Sequence, residues 1–172
     1  NLFEGINTTW SRLENGETVG KLLKSVETNY NFKDPSASIP MLMQAYTALQ
    51  KLDDSHWKTT KSKELEQIIT ACAGLYLEAA ATTPTATRVS NIPLNIEAIN
   101  RSPVKIRVNS ILFPASNQVI EDTLELTPNN DIERQFNYSI SNSAAFTSPY
   151  WLTKKGTLGM YAVDNEAFIG KP

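Results

Sequence analysis

The chain has 172 residues, 41% of them hydrophobic and 20% charged, a balance typical of a globular protein that buries ~70% of its unfolded surface. Its net charge is −2, with 8 basic and 10 acidic side chains in residues 1–81 and 8 of each in residues 82–172; neither half has the basic excess that holds a phosphate backbone, which excludes nucleic acid as a partner. No apolar run approaches the ~20 residues of a membrane span, and a single cysteine, Cys72, rules out an internal disulfide and a cysteine-based metal cluster.

In chain order, a loop through Gly5 leads to a short helix expected over residues 8–13, which Asn15 and Gly16 end. A second helix is expected over 17–30, with Val19, Leu22, Leu23 and Val26 on its inner stripe. Asp34 and Pro35 break it, because the residue before proline is pushed out of the helical region. Ser38 is placed to cap a third helix with Pro40 in its first turn. Its inner stripe is Leu42, Ala45, Tyr46, Leu49 and Leu52. The fourth helix is expected over 56–81, about 39 Å long at 1.5 Å per residue, capped by Asp53, Asp54 and Ser55. Leu65, Ile68, Ile69, Cys72, Leu75, Tyr76 and Ala79 keep its helical period.

The threonine-rich segment 82–87 reads as a hinge, since it has little to bury and Pro84 stops a helix. From Ile92 the apolar residues alternate, the period of a strand. Strands are expected over 92–99, 104–108, 118–126 (interrupted by a bulge) and 132–140, with a fifth marked by Leu158, Met160 and Ala162. Arg134 breaks the apolar face of the fourth. The fold expected is therefore α+β with the two kinds of structure segregated: a bundle lobe of three or four helices over 1–83, then an antiparallel immunoglobulin-like β-sandwich over 84–172.

Few residues invite chemistry. His56 stands beside Asp53 and Asp54, but acids and a serine at a helix N-terminus are better read as caps that oppose the dipole. Cys72 lies on a core stripe, where a thiol packs. Glu64 and Glu66, two apart, point to different sides of a helix and make no catalytic pair, and Glu121 with Asp122 reads as a solvated strand end. No phosphate loop or nucleophile elbow is present. No catalytic residue, metal site or cofactor is therefore expected. Tyr150 and Trp151, after Pro149, are the candidate ligand-binding pair, since exposed aromatic rings stack on sugars.

Several stretches resemble one family: LFEGINTTWSR at 2–12, ACAGLYLEA at 71–79, EAINRS at 97–102, SPYWL at 148–152 and IGKP at 169–172. They are similar to the region that follows the catalytic domain in large Bacteroidetes-type PIG-L (LmbE-like) deacetylases. The resemblance implies a zinc-dependent parent enzyme acting on N-acetylglucosamine-type substrates, with its zinc ligands in a preceding domain carrying a His-Pro-Asp-Asp motif and a later histidine pair. This chain has neither the motif nor the pair, so no catalytic residue carries over. The resemblance thus implies a non-catalytic accessory region, periplasmic or at the cell surface, whose partners are the parent's catalytic and later domains. A carbohydrate-binding or protein-interaction module of an envelope protein is the alternative. A start at Asn1 without a leader is expected of a mature protein or an internal piece, and a stop at Pro172 leaves the last strand's completeness open.

Overall fold

Three amphipathic helices open the chain in the structure, a computed structural model describing residues 3–113 and 117–170. They are α1 (Glu17–Thr28), α2 (Ile39–Gln50) and α3 (His56–Cys72). Before α1 comes a single 3-10 turn, Trp10–Arg12, where a short helix was expected. Gly16, which precedes α1, is required by a close approach: a Cβ there would lie 2.3 Å from the Trp10 carbonyl oxygen. The stripes predicted from periodicity do meet. Val19, Leu42, Ala45 and Leu49 are essentially sealed from water, Leu52 and Leu65 complete the centre, and Trp10, Leu22, Leu23, Val26 and Tyr46 pack around it.

Pro40 falls in the first turn of α2 as expected, but Ser38 makes no side-chain cap; the 3-10 turn Pro35–Ser38 runs directly into the helix. In contrast, Ser55 caps α3 as read, its hydroxyl accepting from the Lys58 amide at 3.1 Å.

The fourth helix does not reach residue 81. It ends at Cys72, and Leu75–Ala81 is a strand, β1. Gly74 adopts φ +57°, the left-handed conformation that terminates helices, and its amide bonds back to the Ala71 carbonyl at 3.0 Å. Leu75, Tyr76 and Ala79 happen to continue the helical spacing, and Glu78 with three alanines is good helix material. Pairing overrides that preference: β1 is in antiparallel register with β2 (Asn91–Asn100) from Leu75 opposite Asn100 to Ala81 opposite Leu94. The threonine-rich segment is accordingly part of a hairpin connection rather than a joint between helix and sheet.

Four short strands follow: β3 (Ile106–Val108), β4 (Ile111–Phe113), β5 (Gln118–Ile120) and β6 (Leu124–Leu126). β3 pairs with β6 and β4 with β5. Between Val108 opposite Leu124 and Ile111 opposite Ile120, the returning arm holds one residue more than the outgoing arm, the count of a β-bulge. The single strand expected over 118–126 is therefore two strands separated at a bulge. β7 (Asp131–Ser139) then returns to the far side of β2, giving the order β1-β2-β7. The fold is mixed α+β, helices first, its strands gathered among the described residues into one three-stranded and two two-stranded antiparallel sheets.

Ala98, Leu124 and Leu126 form the centre of the β half, with Leu75, Ile106, Val108 and Ile132 against them. At the other end Phe113 meets Tyr138 at 5.5 Å between ring centroids. Arg134, the break in the apolar face of β7, is answered by Asp122 at 3.7 Å; that carboxylate is thus engaged, not simply solvated as expected.

No fifth strand forms at 158–163. A lone bridge joins Thr157 to Met160, Gly159 sits at φ +80° between them, and Leu158 and Met160 are exposed. Alternation alone makes no strand: among the described residues nothing pairs with this segment beyond that bridge, and strand preference is decided by such neighbours.

Candidate functional site

Tyr150 and Trp151 are brought together. Pro149 starts a 3-10 turn over Tyr150–Leu152, whose last amide donates to the Pro149 carbonyl at 2.9 Å. The two rings stand perpendicular with centroids 4.9 Å apart. Thr153 Oγ1 donates to the Tyr150 carbonyl at 2.8 Å, and an ion pair between Lys154 and Asp164 closes the loop behind them. That closure brings in a third ring missed in the sequence: Tyr161, 6.2 Å from Tyr150, whose phenol is pushed up by its hydrogen bond with Tyr150. The alternating pattern puts Tyr161 on a strand that does not form, which hides its partner. Trp151 remains 42% exposed and Tyr161 56%, which leaves ring surface open for stacking on an apolar ligand face.

The other singled-out residues stay apart from this cluster. His56 opens α3 edge-on to Trp57, centroids 5.4 Å apart. Asp54 pairs with Lys58 at 3.0 Å, and the Lys58 ammonium also donates to the Leu52 carbonyl at 2.6 Å; this charged group ties off the helix start. Cys72 packs against the helical core and burial pushes its thiol up, away from the thiolate form that attacks or ligates. Glu64 bonds Lys61 at 2.7 Å, whereas Glu66 accepts from the Tyr46 hydroxyl at 2.6 Å, so the two acids do face different neighbours. Among the described residues no group of three or more His, Cys, Asp and Glu side chains is arranged to hold a metal ion, and no helix is long and apolar enough to cross a membrane.

Two further arrangements are not legible in the sequence pattern. The first is a row of glutamates across the open face of the larger sheet, Glu78 opposite Glu97 on β2 and Glu97 opposite Glu133 on β7. Burial, then Asp131, Glu78 and Glu133, push the Glu97 carboxyl up, against the opposing pull of Arg101.

The second lies where helix becomes sheet. Asn100, the last residue of β2, is fully buried. Its Nδ2 donates to the carbonyls of Val104 at 2.7 Å and Leu126 at 3.1 Å. Its Oδ1 accepts from the Ser102 amide at 3.0 Å and hydroxyl at 2.9 Å. Its backbone carbonyl accepts from Asn129 at 2.7 Å, and the next amide, Arg101, donates to the Gly74 carbonyl at 3.2 Å. The Arg101 guanidinium lies 5.2 Å above the Tyr76 ring. One side chain thereby fixes the 100–104 turn, the start of β3, the end of β6 and, through its neighbour, the residue that stops α3. Asn100 and Ser102 fall within the EAINRS stretch. Of the other resembling stretches, Leu2, Lys171 and Pro172 lie outside the described residues.

Compared with known proteins, the chain finds no match: no family, no curated protein and no solved structure is significantly similar to it.

Proposed function

We propose that this chain is a non-catalytic accessory region of a PIG-L (LmbE-like) zinc-dependent deacetylase acting on N-acetylglucosamine-type substrates, and that it holds the catalytic domain in position. In this reading the β half is an immunoglobulin-like sandwich, the protein is periplasmic or at the cell surface, and its partners are the parent's catalytic and later domains. The observation that carries the reading is the buried Asn100 network, which locks the end of α3 to the sheet. A region that serves to position its neighbours needs a stiff joint, and fully satisfied buried polar networks supply stiffness. The sandwich is supported by the packing of Ala98 and Ile132 on one sheet against Leu124, Leu126, Ile106 and Val108 on the other. The test is to read the coding sequence on both sides and assay the chain alone. A His-Pro-Asp-Asp stretch upstream, with no turnover of N-acetylglucosamine substrates by the isolated chain in added zinc, is expected. Its absence from the open reading frame, or clear turnover, overturns the reading.

The exposed Tyr150, Trp151 and Tyr161 rings favour a second reading, a carbohydrate-binding module. It requires saturable binding of an envelope glycan that Trp151→Ala abolishes.

A further inference from the structure

We propose that the groove between the N-terminal segment and α3 is a binding site for a small amphipathic carboxylic acid, apolar tail inward and carboxylate at the mouth. The groove has a volume of about 530 Å³, within the roughly 300–1,000 Å³ of small-molecule sites and too small for an entire amphipathic helix. Leu23 and Leu65 lie at its base, and Phe3, Ile6, Trp57 and Ile68 form its walls. Those four wall residues are 59%, 55%, 37% and 47% exposed, a clustering of large apolar groups that marks binding surfaces rather than ordinary exterior.

The mouth selects the charge of the head group. Lys61 is spoken for by Glu64 at 2.7 Å, and that pair is neutral. Arg12 has no carboxylate within ion-pair distance among the described residues. Its guanidinium carbon lies 4.7 Å from the Trp57 ring centroid, a cation–π contact that steadies the cation and leaves N–H groups to donate. A rigid guanidinium fork matches a carboxylate bidentately, whereas a cationic head would be repelled. Apolar walls and one oriented, uncompensated cation together specify an acid carrying a hydrocarbon tail. This stands apart from the accessory role proposed above and survives its failure.

Trp10 also lines the groove, so two of the chain's three tryptophans report on it. In a Trp151→Phe background, laurate titrated below its micelle concentration is expected to change tryptophan emission saturably. Arg12→Gln should weaken that binding by about tenfold or more, the worth of a charge-assisted hydrogen bond. Ile68→Glu should abolish it, and dodecanol should bind more weakly with no dependence on Arg12. Both positions are solvent-facing, and unchanged far-ultraviolet circular dichroism confirms that each variant is folded; Ile68→Ser replaces Ile68→Glu if it is not. A non-saturable response to laurate, equal affinity in Arg12→Gln, or dodecanol binding as tightly as laurate overturns the proposal.

Discussion

Replacing Asn100 tests the joint most directly. In Asn100→Ala the carbonyls of Val104 and Leu126 and the amide of Ser102 lose their partner, at a site sealed from water. The Ser102 hydroxyl keeps its contact with the Val104 amide at 3.3 Å. A buried backbone group left unsatisfied costs about 1–3 kcal/mol, so three of them cost about 3–6 kcal/mol after some relaxation, a large share of the ~5–15 kcal/mol that holds a domain folded. Urea titration followed by circular dichroism measures this. Asn100→Asp sharpens the test, because it keeps the shape but turns an acceptor oxygen toward two carbonyls. Burial and those carbonyls raise its folded pKa above the unfolded value, so the native state binds the proton more tightly. Its stability should therefore be poor at neutral pH and recover as the pH falls through the raised value toward the ordinary aspartate range. A loss below about 1 kcal/mol for Asn100→Ala, the scale of ordinary surface changes, or a pH-independent Asn100→Asp defect, would refute the reasoning.

Three more outcomes follow from backbone and charge. Glu97 also binds its proton more tightly when folded, so wild-type stability falls as pH rises above the ordinary glutamate range. Glu97→Gln is expected to be more stable than wild type at neutral pH, with the gap closing on acidification; an equal gap in denaturation midpoints at both pH values contradicts this. Val89 sits at φ +60°, where a β-branched residue is strained by about 1–2 kcal/mol, and its side chain is exposed. Val89→Asn should raise stability by about 1 kcal/mol, and a measured loss refutes the strain. Gly74→Ala should cost about 1–2 kcal/mol, because φ is +57° and the new methyl would meet Arg101 Cβ at 3.0 Å; thermal unfolding of the two proteins decides it.

What is legible in the sequence is whatever repeats. Leu42, Ala45 and Leu49 recur at helical spacing, and each is buried where that spacing puts it. Ile96 and Ala98 alternate on a strand and are likewise buried. Single events were harder to read. The end of α3 depends on one glycine's φ, and the helical spacing of Leu75 and Tyr76 masked it. Asn100 falls just past the strand expected over 92–99, and nothing local reveals that its amide reaches Leu126, twenty-six positions on. The Tyr150–Trp151 pair was legible as neighbours in sequence, while Tyr161 joins them only through a loop closed by Lys154 and Asp164. The glutamate row needed the correct identity of β1 first, since a helical Glu78 cannot lie opposite Glu97.

Only Ala73 and Gly74 separate the last residue of α3 from the first of β1. Two residues offer at most about 7 Å of slack even when pulled straight. Tension applied along α3 would therefore reach β1 almost undiminished. β1 is antiparallel to β2, and the load would enter at Leu75, opposite Asn100 where the chain leaves β2, so the hydrogen bonds at that end would carry it first.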